Sequence, residues 1–196
     1  MFIPVVPESE ATGVLADFYR RHRGSWGFLP DYAQAFSTHP EVAAAWDQLN
    51  LAVRDGLERR LYEIATIAAA RALRSSYCTA AHTKFLRDVC GDAQAARDIT
   101  EQPDGSRLSD RDREAYEFAG RIATDAAAVE QRDIDRLHEA GLNDGEIAGI
   151  VFTAASRSFF TRVLDGLGAR LDAETAGQFS AEELASIVVG RGVAED

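Results

Sequence analysis

The chain has 196 residues, a length at which one hydrophobic core buries roughly 70% of the unfolded surface, so one domain spanning residues 1–196 is expected. With 46% hydrophobic and 27% charged residues, the composition excludes disordered and collagen-like chains. Acidic residues outnumber basic ones, 32 against 21, for a formal charge of -11; Arg20, Arg21, His22 and Arg23 are too small a basic patch to offset that repulsion, so no nucleic-acid partner is expected.

The amino-terminal ten residues carry neither a basic region nor an apolar stretch, and the most apolar run, residues 64–70, is broken by Arg71 far short of a bilayer span. No leader and no membrane partner are expected, and the expected location is cytoplasmic. Two cysteines, Cys78 and Cys90, are too few for a disulfide framework and fit a reducing compartment.

Helical spacing recurs along the chain, and no β-branched run alternates with polar residues for long enough to make a strand, which predicts an all-α helical bundle. Residues 9–23 place Val14, Leu15, Phe18 and Tyr19 on one face and are expected to stop at Gly24. The loop 24–30 holds Trp26 and Phe28, read as anchors to the core. A helix over 40–54 carries Val42, Trp46, Leu49 and Val53 at three- and four-residue spacing. Residues 57–73 are rich in alanine, which favours helix and lets a second helix approach closely. Ser75 and Ser76 are candidate caps for a helix running to Cys90 and closed by Gly91.

Residues 93–105 read as a linker. Ser109 starts a helix carrying Ala115, Phe118, Ala119 and Ile122, and a short helix over 131–140 ends at Gly141. Asn143 caps a long helix whose apolar band, from Ile147 through Ala154 to Val163, is wide enough to predict burial on more than one side. Ser180 with Glu183 forms a capping-box signature in the tail.

Cys78 falls in the first turn of its helix, where free amide hydrogens and the helix dipole favour thiolate, so it is expected to oxidise before Cys90. His82, four residues on, shares its face and can exchange a proton with the sulfur directly or through water. Glu63 costs free energy to bury unless it is paired, and an antiparallel hairpin can carry its carboxylate to the His82 ring, completing a carboxylate, imidazole and thiol relay. On composition alone, the cysteine and histidine read as packing residues.

The order Glu63, eleven residues, Ser75, two residues, Cys78, three residues, His82 resembles the pattern of the alkylhydroperoxidase D-like (carboxymuconolactone decarboxylase) superfamily, in which a cysteine stands at the Ser75 position. Residues 27–30, 39–40, 108–119, 159–162 and 165–168 extend the likeness to the branch called peroxidase-related enzymes. The resemblance implies an all-helical bundle that assembles into homo-oligomers. It also implies a cysteine nucleophile, Cys78, that attacks a hydroperoxide substrate while Glu63 and His82 relay protons. With Ser75 in place of the first cysteine, the vicinal disulfide cannot form. Cys90 lies twelve residues along from Cys78, ~18 Å at the helical rise, beyond the ~7 Å that a disulfide tolerates. A sulfenate on Cys78 therefore needs an external thiol reductant, or Cys90 of another subunit.

Three readings follow. The first is a thiol-dependent peroxidase using Cys78, His82 and Glu63. The second is a lyase in which Glu63 and His82 do acid–base work and Cys78 is dispensable, and the third is a non-catalytic redox sensor. No cofactor is expected, because Gly166-Leu-Gly168 follows a helix where a dinucleotide fingerprint follows a strand. No metal is expected, since Cys78, His82 and Glu63 lack a fourth ligand. His22, His39 and His138 have no carboxylate or thiol at helical spacing that suggests a role. Arg157 and Arg162 are left between internal ion pairs and an anionic substrate.

Overall fold

The computed structural model describes residues 1–194. Among them are eleven α-helices: α1 (Gly13–Trp26), α2 (Asp31–Ala35), α3 (Pro40–Asp55), α4 (Arg59–Ala72), α5 (Ser76–Asp88), α6 (Ala93–Glu101), α7 (Asp110–Asp125), α8 (Gln131–Glu139), α9 (Asp144–Leu167), α10 (Ala173–Ala176) and α11 (Ala181–Ile187). The sole β-type pairing among the described residues is an isolated bridge between Leu171 and Val193, so the expected all-α bundle stands.

The alanine-rich α4 is the axis. Every residue from Leu61 to Ala70 on it is buried, against α5, α7 and α9. Small side chains let three helices close on it, while Leu61, Ile64 and Ile67, with no exposed surface, each contribute about 1.5–3 kcal/mol of burial. Its first turn is capped by Glu58, whose carboxylate accepts from the Arg60 and Leu61 amides at 2.9 and 2.8 Å. Gly149 on α9 serves the same closeness, because a Cβ there would stand 2.9 Å from Leu57 Cδ1.

α9 is long and apolar enough, by length and composition, to cross a membrane, and 56% of its most apolar window is buried within the fold. That property belongs to α9 and not to residues 64–70. Its packing against α3, α4 and α7, with an arginine on the buried face, is that of a central core helix.

Several boundaries differ from the sequence reading. Ser9 lies in a separate 3-10 turn, Glu8–Glu10, and α1 runs through Gly24 to end at Gly27, whose φ of 84° suits a residue without a Cβ. Residues 93–101 of the expected linker form α6, because Asp92 accepts from the Ala95 amide at 2.9 Å. α5 stops at Asp88, so Cys90 lies beyond it. Ser75 occupies the N-cap position of α5 but its side chain makes no capping bond.

The α4–α5 turn is tight. Arg74 has a φ of 59°, and the Ser75 amide donates to the Ala70 carbonyl at 2.8 Å. The carboxy-terminal segment lies across this turn: the Gly190 amide donates to Ser76 Oγ at 2.9 Å and Arg74 Nε to the Val189 carbonyl at 3.2 Å. A Cβ on Gly190 would fall 1.8 Å from the Arg74 carbonyl oxygen, so the crossing admits only glycine without rearrangement.

Candidate active site

The hairpin of α4 and α5 brings Glu63 and His82 together: Glu63 Oε2 lies 2.5 Å from His82 Nδ1. Glu63 is entirely buried and its second oxygen accepts from Arg59 Nε at 2.5 Å, one helical turn earlier. Burial alone would push this carboxyl up; His82 and Arg59 outweigh it and hold it below the usual carboxylate range. Burial pushes the His82 imidazole below its ordinary range, against the pull of Glu63. The resting pair is therefore a carboxylate and a neutral imidazole whose Nδ1 hydrogen is donated to Glu63.

Cys78 lines the same cavity, 1% exposed, at the third residue of α5. Burial pushes its thiol up, with Arg157 and Ser75 opposing. Burial thus favours the thiol form of Cys78. Among the described residues no hydrogen bond joins Cys78 to His82, and the Ser75 hydroxyl is buried with no hydrogen-bond partner. Cys90 is half-buried, and its thiol is also raised, chiefly by burial.

The cavity, about 330 Å³, is walled by aromatic rings, among them Trp26, Tyr32, Trp46, Phe85 and Phe160. That volume suits a small ring compound. Trp46 and Phe160 stack with centroids 4.8 Å apart. Trp26 and Phe85 pack at 5.5 Å, so Trp26 is both an anchor, as expected of its segment, and a wall of the cavity.

Two features were not read from spacing. Arg157, on the buried face of α9, points Nη1 at His82 Nε2, 3.3 Å away, and Nη2 donates to Asn50 Oδ1, which also accepts from the Tyr62 hydroxyl at 3.0 Å. An arginine inside the apolar band of a long helix was the available signal. Second, His22 sits between Asp47, at 3.3 Å, and the Tyr32 hydroxyl. These partners come from α3 and α2, which is why helical spacing could not find them. No cluster of three or more metal-ligating side chains occurs among the described residues.

Residues 40–103, which span α3 to α6 and contain Glu63, Cys78 and His82, match the model of the carboxymuconolactone decarboxylase family. A solved structure described as an alkylhydroperoxidase AhpD core, an uncharacterized peroxidase-related protein from Ralstonia eutropha JMP134, superimposes with a TM-score of 0.80 over 89% of this chain and 93% of that one, at 20% identity. The chain has the AhpD-like fold. A second AhpD-like structure, an uncharacterized peroxidase-related protein from Silicibacter sp. TM1040, gives 0.75 over 92% and 93% of the two chains at 21% identity. A third, a cysteine-to-alanine variant of the debrominase Bmp8 in complex with 2,3,4-tribromopyrrole, gives 0.73 over 95% and 96% at 16% identity. No curated protein matches the chain. The AhpD-like fold is thus found in both peroxidase-related and debrominase proteins, and fold alone does not select a reaction.

Proposed function

We propose that the protein is an enzyme, working as one domain, in which Glu63 and His82 perform acid–base chemistry on a small carboxylate-bearing ring compound, a lyase of the carboxymuconolactone decarboxylase kind. One contrast inside the cavity carries this reading. The carboxylate–imidazole pair is closed at 2.5 Å, whereas Cys78 is a buried thiol with no bond to His82. Acid–base catalysis needs the first and not the second. In the step proposed, His82 Nε2 takes a proton from water and Glu63 stabilises the imidazolium so formed. The bond between ring carbon and carboxylate breaks, carbon dioxide leaves, the electron pair remaining on the ring takes that proton from His82, and the hydroxide left by the water passes to solvent. The step balances without oxidant or reductant.

A second reading, thiol-dependent reduction of hydroperoxides, is favoured by the Arg157 guanidinium, which opposes the effect of burial on Cys78. There His82 takes the thiol proton, Cys78 Sγ bonds to the distal peroxide oxygen, the O–O bond breaks, and His82 passes that proton to the departing alkoxide. The resulting sulfenate is returned to thiol by an external thiol reductant. Either reading is compatible with a cytoplasmic homo-oligomer.

Carbon dioxide release from carboxymuconolactone and consumption of cumene hydroperoxide with dithiothreitol, each measured on wild type, Cys78→Ala and His82→Gln, test the choice. We expect carbon dioxide release that survives Cys78→Ala and is lost in His82→Gln. Peroxide consumption that vanishes in Cys78→Ala, with no carbon dioxide from the wild type, would establish the second reading, and absence of both activities would overturn each.

A further inference from the structure

Arg157 makes a contact that acid–base work by His82 does not require. A guanidinium only donates hydrogen bonds, so the 3.3 Å approach of Nη1 makes His82 Nε2 the acceptor. With Nδ1 committed to Glu63, both ring nitrogens are occupied. A nitrogen held in this way cannot take a proton from a ligand, nor can the arginine, which stays charged, pass one on.

Arg157 is 3% exposed and its polar contacts contain no carboxylate. They are His82 and the Asn50 amide oxygen; the guanidinium carbon lies 4.9 Å from the Trp46 ring centroid and 5.2 Å from that of Phe160, and Nε has no partner. The neighbouring cavity arginines differ, since Arg21 pairs with Asp47 and Arg59 with Glu63. A buried cation without a counter-ion, facing a cavity and lying on aromatic rings, matches a planar anion.

We propose that Arg157 is a removable cap on His82: a planar, ring-bearing carboxylate entering the cavity pairs with the guanidinium, draws it from Nε2 and frees the imidazole for proton transfer. The inference rests on His82 being the acid–base group, and adds that the site stays masked until an anion arrives. The charged and titratable groups facing His82 are Glu63, Arg59 and Tyr62 on α4, Cys78 on α5 and Arg157 on α9. Of the two arginines, Arg157 is the one an anion can engage without breaking an ion pair. Arg157 also helps hold the imidazole down, behind burial, so pairing it with an anion raises the affinity of His82 for a proton.

The test uses benzoate and its neutral isostere benzamide with the full chain labelled at histidine nitrogen. Binding is read by fluorescence of Trp26 and Trp46, and the His82 ring by nuclear magnetic resonance against pH. Benzoate is expected to bind at least about tenfold more tightly than benzamide, to release the hydrogen bond at Nε2, and to move the His82 midpoint up by about one pH unit. Arg157→Gln should raise that midpoint without ligand and abolish the preference for benzoate. No binding of benzoate, equal binding of the two probes, or binding that leaves the His82 resonances unmoved would each overturn the proposal. If Arg157→Gln does not fold, the wild-type comparison decides alone. Neither readout requires turnover, so a protein that binds benzoate and uncaps His82 but releases no carbon dioxide keeps this inference and loses the lyase reading.

Discussion

Glu63 and His82 face each other across the α4–α5 hairpin, 19 residues apart in sequence and 2.5 Å apart at Oε2 and Nδ1. The contact fixes the tautomer of the imidazole, because the hydrogen donated to a carboxylate sits on Nδ1 and leaves Nε2 to face the cavity.

Glu63→Gln tests that relationship in two ways. The amide can still meet the ring but no longer neutralises an imidazolium, so turnover by the acid–base route should fall ~100- to 10,000-fold. Removing one member of a buried ion pair typically costs about 3–5 kcal/mol. Arg59, about one-third exposed, remains hydrated and the amide keeps one hydrogen bond, so the expected loss in urea denaturation is smaller, about 1–3 kcal/mol. An unchanged midpoint and unchanged kinetics would show that Glu63 merely fills space.

Stability should decline on acidification in two stages. The folded His82 midpoint lies below the ordinary 6.5, so as pH falls through that value the unfolded chain takes up a proton that the folded chain refuses. The Glu63 midpoint lies below 4.5 and acts in the same direction at lower pH. Each stage approaches a slope of about 1.4 kcal/mol per pH unit within its window. In His82→Gln the upper stage should disappear; a wild-type profile flat between pH 6.5 and 4.5 would contradict the assignment.

Ser75→Cys should form an intramolecular disulfide with Cys78 on mild oxidation. Ser75 at the N-cap and Cys78 in the first turn are three residues apart, and the serine oxygen has no hydrogen-bond partner to lose. Such neighbours fall within the roughly 4.4–6.8 Å Cα separation of natural disulfides. Intact mass under non-reducing conditions should show the loss of two hydrogens, with turnover of dithiols gained. Failure to crosslink would mean the first turn of α5 does not open.

Alkylation with iodoacetamide should label Cys90 before Cys78, reversing the order expected from helix position. Burial raises both thiols, but Cys78 is 1% exposed whereas Cys90 is half-buried beyond the end of α5. Peptide mapping over time gives the order directly, and preferential labelling of Cys78 would indicate that the cavity opens widely in solution.

Gly190→Ala should destabilise the fold by about 2–4 kcal/mol, since the added carbon would overlap the Arg74 carbonyl. Thermal unfolding measures it; a neutral result would mean the tail lifts from the turn at little cost.

What could be read in advance follows the range of the interactions concerned. α3, α4, α7 and α9 were legible because their apolar periodicity and their caps, such as Asn143 with Glu146, are local in sequence. α6 was hidden because its cap, Asp92, follows directly on Gly91 in a stretch that otherwise reads as linker. The pairing of Glu63 with His82 could be anticipated from a two-helix hairpin. Asn50 and Asp47 could not, and Arg157 could be singled out but not its partners, since each reaches the cavity from a helix whose position depends on tertiary packing. The burial of the Cys78 thiol is not legible for a related reason: position in a helix is a local property, and burial is not.

The crossing of Gly190 over Arg74 and Ser76 bears on how the protein is made. The segment that braces the turn leading into α5 is synthesised 114 residues after Ser76. While the chain is still being translated, α4 and α5 can pair, but their turn lacks its brace and α9 has yet to bring Arg157. The cavity is therefore completed only after residue 190 has been made, and chains stalled before that point would expose its aromatic walls to the chaperones that police nascent proteins.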